Sequence, residues 1–108
     1  MKAISKAEEM VLLAVWRLGD EAYGVTIRRQ ILKAAGKDYT YGTLYGLLRQ
    51  MDRKGYIQKA VAKPLPKRGG RGKSYYKITP SGIRALKESI KLHQLVWKNI
   101  DALVLEKS

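Results

Sequence analysis

The sequence predicts a mainly α-helical domain with one small β-hairpin, and three observations carry that prediction. Apolar residues recur at helical spacing in four stretches, each bounded by recognisable start and stop residues. Between the third and fourth lie two β-type runs, Tyr56–Val61 and Tyr75–Ile78, joined by a stretch rich in Gly, Lys and Arg. The length, 108 residues, suits a single hydrophobic core.

Ser5-Lys6-Ala7-Glu8 has the form of a capping box, and Glu9 places a second acid in the first turn, where the helix dipole favours it. The helix it opens runs to about Leu18 and stops at Gly19. From Met10 to Leu18 only Arg17 is polar, so apolar surface surrounds the helix. Part of Leu12, Val15 and Trp16 is then expected to need a second partner: another copy of the chain, or the chain's own C-terminal segment. A short connection, 20–24, leads to a second helix of about Val25 to Ala35, stopped by Gly36. Val25, Ile27, Ile31, Leu32 and Ala35 are expected on its inner face, with Arg28, Arg29 and Lys33 mostly outside.

After a few residues comes the third helix, Tyr41 to Lys54, with Gly55 as its stop. Leu44, Leu47, Leu48 and Met51 fall at i, i+3, i+4 and i+7 and form its buried face. The opposite side carries Tyr41, Thr43, Tyr45, Gly46 and Arg49, hydroxyls and a cation with no acid. A helix held by a core behind and offering hydrogen-bond donors in front suits contact with phosphates and base edges. An ordinary solvated face has the same pattern, so neighbouring segments must decide. Helix, short turn, helix with such a face is the layout of a helix-turn-helix.

The hairpin follows directly. From Lys59 to Lys77 there are seven Lys/Arg and no acid, and the tip sets three glycines beside Lys67, Arg68, Arg71 and Lys73. A solvated loop and a wing that tracks DNA backbone are both compatible with this composition. Its place after a helix-turn-helix favours the wing. Thr79 then caps a last helix with Pro80 at its first position, running to about Leu103. Ile83, Leu86, Ile90, His93, Trp97, Ile100 and Val104 alternate spacings of three and four, a heptad seam with His93 as its one polar member. Such a seam suits pairing with a second copy, or folding across the first helix. The order amounts to a winged helix-turn-helix with a long C-terminal dimerisation helix, divided as 1–78 for DNA binding and 79–108 for dimerisation.

Charge and composition narrow the function. The formal net charge is +13, and residues 37–78 hold 11 Lys/Arg against two Asp/Glu. Basic charge concentrated on one segment is the footprint of a polyanion, nucleic acid before membrane. There is no cysteine and one histidine, which removes disulfides, thiolate chemistry and the usual zinc sites. Acids are scattered, no Ser or Thr has a nearby histidine, and no phosphate-binding glycine motif opens a helix after a strand, so an enzyme is not expected. No cofactor is expected. No secretory signal or membrane span is visible, and a cytoplasmic location is expected.

Four stretches carry a resemblance to a known family. Ala22-Tyr23-Gly24-Val25-Thr26-Ile27, Gly42-Thr43-Leu44-Tyr45-Gly46-Leu47-Leu48, Gly55-Tyr56-Ile57 and Tyr75-Tyr76-Lys77-Ile78-Thr79-Pro80-Ser81-Gly82 resemble, in order and spacing, motifs of the PadR-like transcriptional regulators. The second is similar to the family's Gly-Thr-Leu-Tyr-Pro-x-Leu recognition motif. Gly46 departs from the usual proline and Asp52 from the usual glutamate. A single C-terminal helix resembles the short branch of the family. The resemblance implies a homodimeric repressor paired through the first and last helices, and an effector, often a small aromatic compound, that loosens its hold on DNA.

The residues expected to meet double-stranded DNA are Tyr39, Thr40, Tyr41, Thr43, Tyr45 and Arg49, with Lys67, Arg68, Arg71 and Lys73 on the wing. A palindromic operator suits a two-fold protein. Trp97, with His93, Ile100 and Trp16, is expected at the dimer seam, where the tryptophans are either core or the wall of a hydrophobic effector pocket. An architectural protein that coats DNA with little sequence preference is the competing function. A membrane-surface module fits less well, because the cations cluster on a turn and a hairpin instead of along one amphipathic helix.

Overall fold

A computed structural model describes residues 3–61 and 74–98. Its elements are α1 (Lys6–Leu18), a single 3₁₀ turn (Gly19–Glu21), α2 (Gly24–Ala35), α3 (Tyr41–Arg53), β1 (Ile57–Val61), β2 (Ser74–Ile78) and α4 (Pro80–Trp97). The architecture is mainly helical with one antiparallel hairpin, as expected. Local chemistry sets the helix ends. Ser5 Oγ accepts from the Glu8 N–H and Glu8 accepts from the Ser5 N–H, the reciprocal box that starts α1. Gly36 ends α2 in the left-handed region, φ 69°. Thr40 caps α3 by accepting from the Thr43 N–H.

The core centres on α1, which packs against α2, α3, α4 and β2. Leu12 and Val15 are consequently buried, and the expectation that they leave apolar surface for a second partner does not hold. Their partners lie within the chain, because α1 is the central helix. Of that group only Trp16 remains outside, 55% exposed. In α2 the expected inner face is also corrected. Ile27 and Ile31 are buried, whereas Val25 and Leu32 are 40% and 42% exposed and Ala35 is exposed as well. At roughly 100° per residue, Val25 and Leu32 lie on the far side of the helix from Ile27. Among the described residues α2 is covered mainly by α1 and α3, and that side faces out.

The hairpin pairs Ile57 with Ile78 and Lys59 with Tyr76. On its other edge β2 is met by the residues before α2, with the Tyr76 N–H donating to the Ala22 carbonyl (2.9 Å) and Tyr23 bridging to Tyr75. The short approach to α2 thereby becomes a third rail of the sheet and fixes where the helix-turn-helix begins.

A further lock joins the end of α3 to the start of α4. Gly55 takes φ 78°, the Tyr56 N–H bonds the Met51 carbonyl (2.9 Å) and the Gly55 N–H bonds the Asp52 carbonyl (3.0 Å), a Schellman ending. Thr79 donates its hydroxyl to the Gly55 carbonyl (2.6 Å) and its N–H to the Tyr56 carbonyl (3.0 Å), while its oxygen caps the Gly82 N–H (3.1 Å). A Cβ on Gly82 would stand 2.2 Å from the Tyr56 carbonyl oxygen, so only glycine permits this approach. The Gly-Tyr-Ile and Thr-Pro-x-Gly stretches are two halves of one joint.

Two ion pairs extend the frame. Glu8, 4% exposed, receives Lys54 Nζ at 2.7 Å and ties the start of α1 to the end of α3. Burial raises the Glu8 carboxyl, but the hydrogen bonds from Lys54 and the Ser5 N–H outweigh it and hold it below its ordinary range. Glu9 receives the Ser89 hydroxyl of α4 and the Lys6 ammonium, and these hold it low as well.

Candidate nucleic-acid interface

α3 is gripped from behind by Leu44, Leu48 and Met51, all buried, with Leu47 partly so. Facing directly away, roughly 140–200° around the helix from Leu44, is a stripe of Gly42, Gly46, Arg49 and Arg53. All four are exposed except Gly46, which is half-buried. A Cβ at Gly42 or Gly46 would meet nothing within 4 Å, so the fold itself has no need of either glycine. The outermost ridge of α3 is thus bare backbone leading into two guanidinium groups. Tyr41 and Tyr45 stand on one shoulder, their rings stacked 6.2 Å apart. Thr43 and Gln50, both exposed, stand on the other.

The expected residues divide by what already occupies them. Tyr41, Tyr45 and Arg49 are exposed and lie on or beside the ridge. Tyr45 is also held from below: an added Cβ at Gly24 would lie 2.2 Å from its hydroxyl oxygen, so the ring rests across the start of α2. Thr40 and Thr43 spend part of their bonding capacity on the cap, with the Thr40 hydroxyl donating to Thr43 Oγ1 (3.0 Å). Tyr39 is half-buried, packed against the core. Lys67, Arg68, Arg71 and Lys73 lie outside the described residues, as does Ile100.

Several residues near this surface were not singled out from the sequence. Gln50 and Arg53 complete the ridge and its shoulder, and helical phase alone identifies them. Tyr76 of β2 sits beneath α3. Burial, then the nearness of Tyr45 and Asp52, raises its hydroxyl above the ordinary tyrosine range, with Arg49 opposing. Arg28, expected mostly outside, folds over the turn between α2 and α3. Its Nε donates to the Tyr39 carbonyl (2.7 Å), its Nη2 to Asp38 Oδ1 (2.6 Å), and its guanidinium carbon lies 5.1 Å from the centre of the Tyr41 ring.

Far from α3, the last two turns of α4 leave the body of the protein. Ile90, Leu92, Leu95, Val96 and Trp97 are between 40% and 61% exposed there, although Leu86, two turns earlier, is buried. His93 and Trp97 pair with ring centres 5.9 Å apart. They line an open groove of about 550 Å³ with Gln94 and Lys98, and an adjoining one reaches Ile4 and, in α1, Lys6 and Glu9. Trp16 does not line either groove. It lies ten residues along α1 from Lys6, about 15 Å at 1.5 Å per residue. Among the described residues no group of His, Asp or Glu is placed to hold a metal ion, and no helix is long and apolar enough to cross a membrane.

Comparison with known proteins accords with this geometry. A PadR family transcription regulator from hypervirulent Clostridium difficile superposes with a TM-score of 0.77 at 19% identity, over 93% of this chain and 99% of that one. A protein of Streptococcus mutans superposes at 0.71 with 27% identity, over 95% and 92% of the two chains. A PadR-like transcriptional regulator of Bacillus cereus superposes at 0.72 with 22% identity, over 91% and 90%. No curated protein matches the chain. The sequence itself matches the transcriptional regulator PadR-like family over residues 12–88, from the middle of α1 through the joint at Gly82 into α4. The chain therefore belongs to the PadR-like family of DNA-binding transcriptional regulators.

Proposed function

We propose that the protein is a homodimeric, sequence-specific DNA-binding regulator that represses the genes it occupies. The observation that carries the reading is the outer ridge of α3. Bare backbone at Gly42 and Gly46 lies between tyrosine and Thr/Gln shoulders and ends in Arg49 and Arg53, with Leu44, Leu48 and Met51 anchored behind. Backbone this accessible admits close approach to a duplex, the hydroxyls suit phosphate oxygens, and Arg and Gln suit guanine and adenine edges. Lys67, Arg68, Arg71 and Lys73 would follow the adjacent backbone as a wing, each a phosphate contact with little base preference.

The exposed apolar end of α4 supports the dimer. Five large apolar side chains within eight residues exceed what a helix leaves to water without a partner. A second copy is the occupant that also suits a two-fold operator, with 1–78 reading DNA and 79–108 pairing. The groove beside His93 and Trp97 is open on one chain, and a second α4 laid against it would close it around a flat aromatic molecule. An effector there would alter the angle between the two α3 helices. Repression and a cytoplasmic setting follow the family likeness.

Selection of bound duplexes from a random pool tests the function. A dyad with half-sites roughly one helical turn apart is the expected product. A pool that stays random would favour the architectural reading, which the net charge of +13 also permits.

A further inference from the structure

Asp38 is one of only two acids among residues 37–78, and it stands immediately before the helix proposed to read DNA. A carboxylate there repels phosphate, so on charge alone it weakens binding. It forms an ion pair with Arg28 at 2.6 Å, the acid 60% exposed and the arginine 33%. A pair that open to water contributes little to folding stability. Neither solubility nor stability accounts for it.

The same guanidinium makes two other contacts that point in one direction. Nε holds the Tyr39 carbonyl, and the flat face lies over the Tyr41 ring, which stacks on Tyr45. Asp38 and Tyr39 belong to the turn, and Tyr41 is the first residue of α3. One side chain from α2 therefore holds the acid of the turn, its main chain just before the Thr40 cap, and the first aromatic of the ridge. Only the planar fork of arginine can bond along two directions and stack at once. A lysine in its place keeps the charge and loses the geometry.

We propose that Arg28 and Asp38 form a positioning clamp that sets the helix-turn-helix turn and presents Tyr41 and Tyr45 to DNA, so that Asp38 favours operator binding in spite of its charge. The proposal rests on the DNA-binding reading above. It makes the sign of one substitution opposite to the electrostatic expectation.

The test is equilibrium binding of the full chain to its selected operator across a salt series, for wild type, Asp38→Asn, Arg28→Lys and the double variant. The clamp predicts that Asp38→Asn weakens binding roughly fivefold to tenfold. It predicts a similar loss for Arg28→Lys, and a double variant no worse than either single. The slope of log K against log salt stays unchanged, because no phosphate contact is lost. In the free protein, the Arg28 Nε–H resonance loses its protection from solvent exchange in Asp38→Asn, while the melting temperature stays within a few degrees. Unchanged or tighter operator binding by Asp38→Asn overturns the clamp. So do additive losses in the double variant, or a slope reduced by about one in Arg28→Lys, which would make Arg28 a phosphate contact itself. A wild-type chain that selects no operator refutes the DNA-reading function first and the clamp with it. A wild type that selects one while Asp38→Asn matches it refutes the clamp alone.

Discussion

Replacing Gly46 by alanine separates what the fold requires from what a duplex requires. The position lies inside α3, and the new methyl group meets nothing within 4 Å. The folded state therefore accepts it without strain, and the helix gains the propensity difference of about 1 kcal/mol between glycine and alanine. For a domain of this size that raises Tm by about 4–8 °C. The effect on DNA has the other sign. A methyl group on the outer ridge needs roughly 3.5–4 Å to its neighbours. If backbone at Gly42 and Gly46 rests against the duplex, the helix is pushed outward by about 1 Å, enough to stretch hydrogen bonds past their useful range. A loss on the order of tenfold in operator affinity follows, about 1.4 kcal/mol. Thermal unfolding and fluorescence-anisotropy titration on the same preparation read both quantities. A more stable variant that binds as well as wild type would refute close backbone approach at this ridge. A variant that is not stabilised would refute the open space assigned to Gly46.

Three further outcomes are expected. Gly82→Ala forces a methyl group against the Tyr56 carbonyl and Ile78 and opens the joint between α3 and α4, costing roughly 2–3 kcal/mol; a Tm within 2 °C of wild type would contradict the joint. Glu8 and Glu9 are both held below their ordinary value of 4.5, so the stability they contribute is present above that pH and is lost as pH falls below it through their lower folded-state values. Glu8→Gln is therefore expected to lower stability by about 1–2 kcal/mol at neutral pH, discounted because Lys54 is partly exposed, and to flatten the decline on the acid side of 4.5; parallel curves for the two proteins would argue against the pair. Arg68→Ala combined with Arg71→Ala is expected to weaken binding to all duplexes alike and reduce the salt slope by about one to two. An unchanged slope removes the wing from the interface.

Much of the fold was legible because its decisive signals are local. Ser5, Gly36, Gly55 and Thr79-Pro80 each act on backbone groups a few residues away, and the boundaries of the first three helices agree with the structure to within a residue or two, whereas α4 ends at Trp97, with Lys98 already extended, short of the expected Leu103. The direction in which a helix faces is not local in this sense. Val25 and Leu32 are as apolar as Ile27 and Ile31, and only the placement of α1 and α3 decides which pair is covered. The all-round apolar α1 is ambiguous for the same reason, since a central helix and a helix awaiting a partner have one pattern.

The candidate interface divides along the same line. Helical phase identifies the ridge of α3 and its anchors, while the Arg28 contacts depend on how a five-residue turn folds back, which no spacing rule specifies. Tyr39 is placed by the fold in the same way. Its ring closes the core and its carbonyl serves the turn. Gly24 was legible as part of a family motif, but the close approach of the Tyr45 hydroxyl end to it was not.

In the proposed function α3 reads sequence instead of merely adhering to charge. Competition of the selected operator against random duplex of the same length, at fixed near-physiological salt, tests it most directly. The expected preference is at least about 10³, and it drops when Arg49 is replaced by alanine. Equal affinity for both duplexes, with binding that simply fades as salt rises, would contradict it.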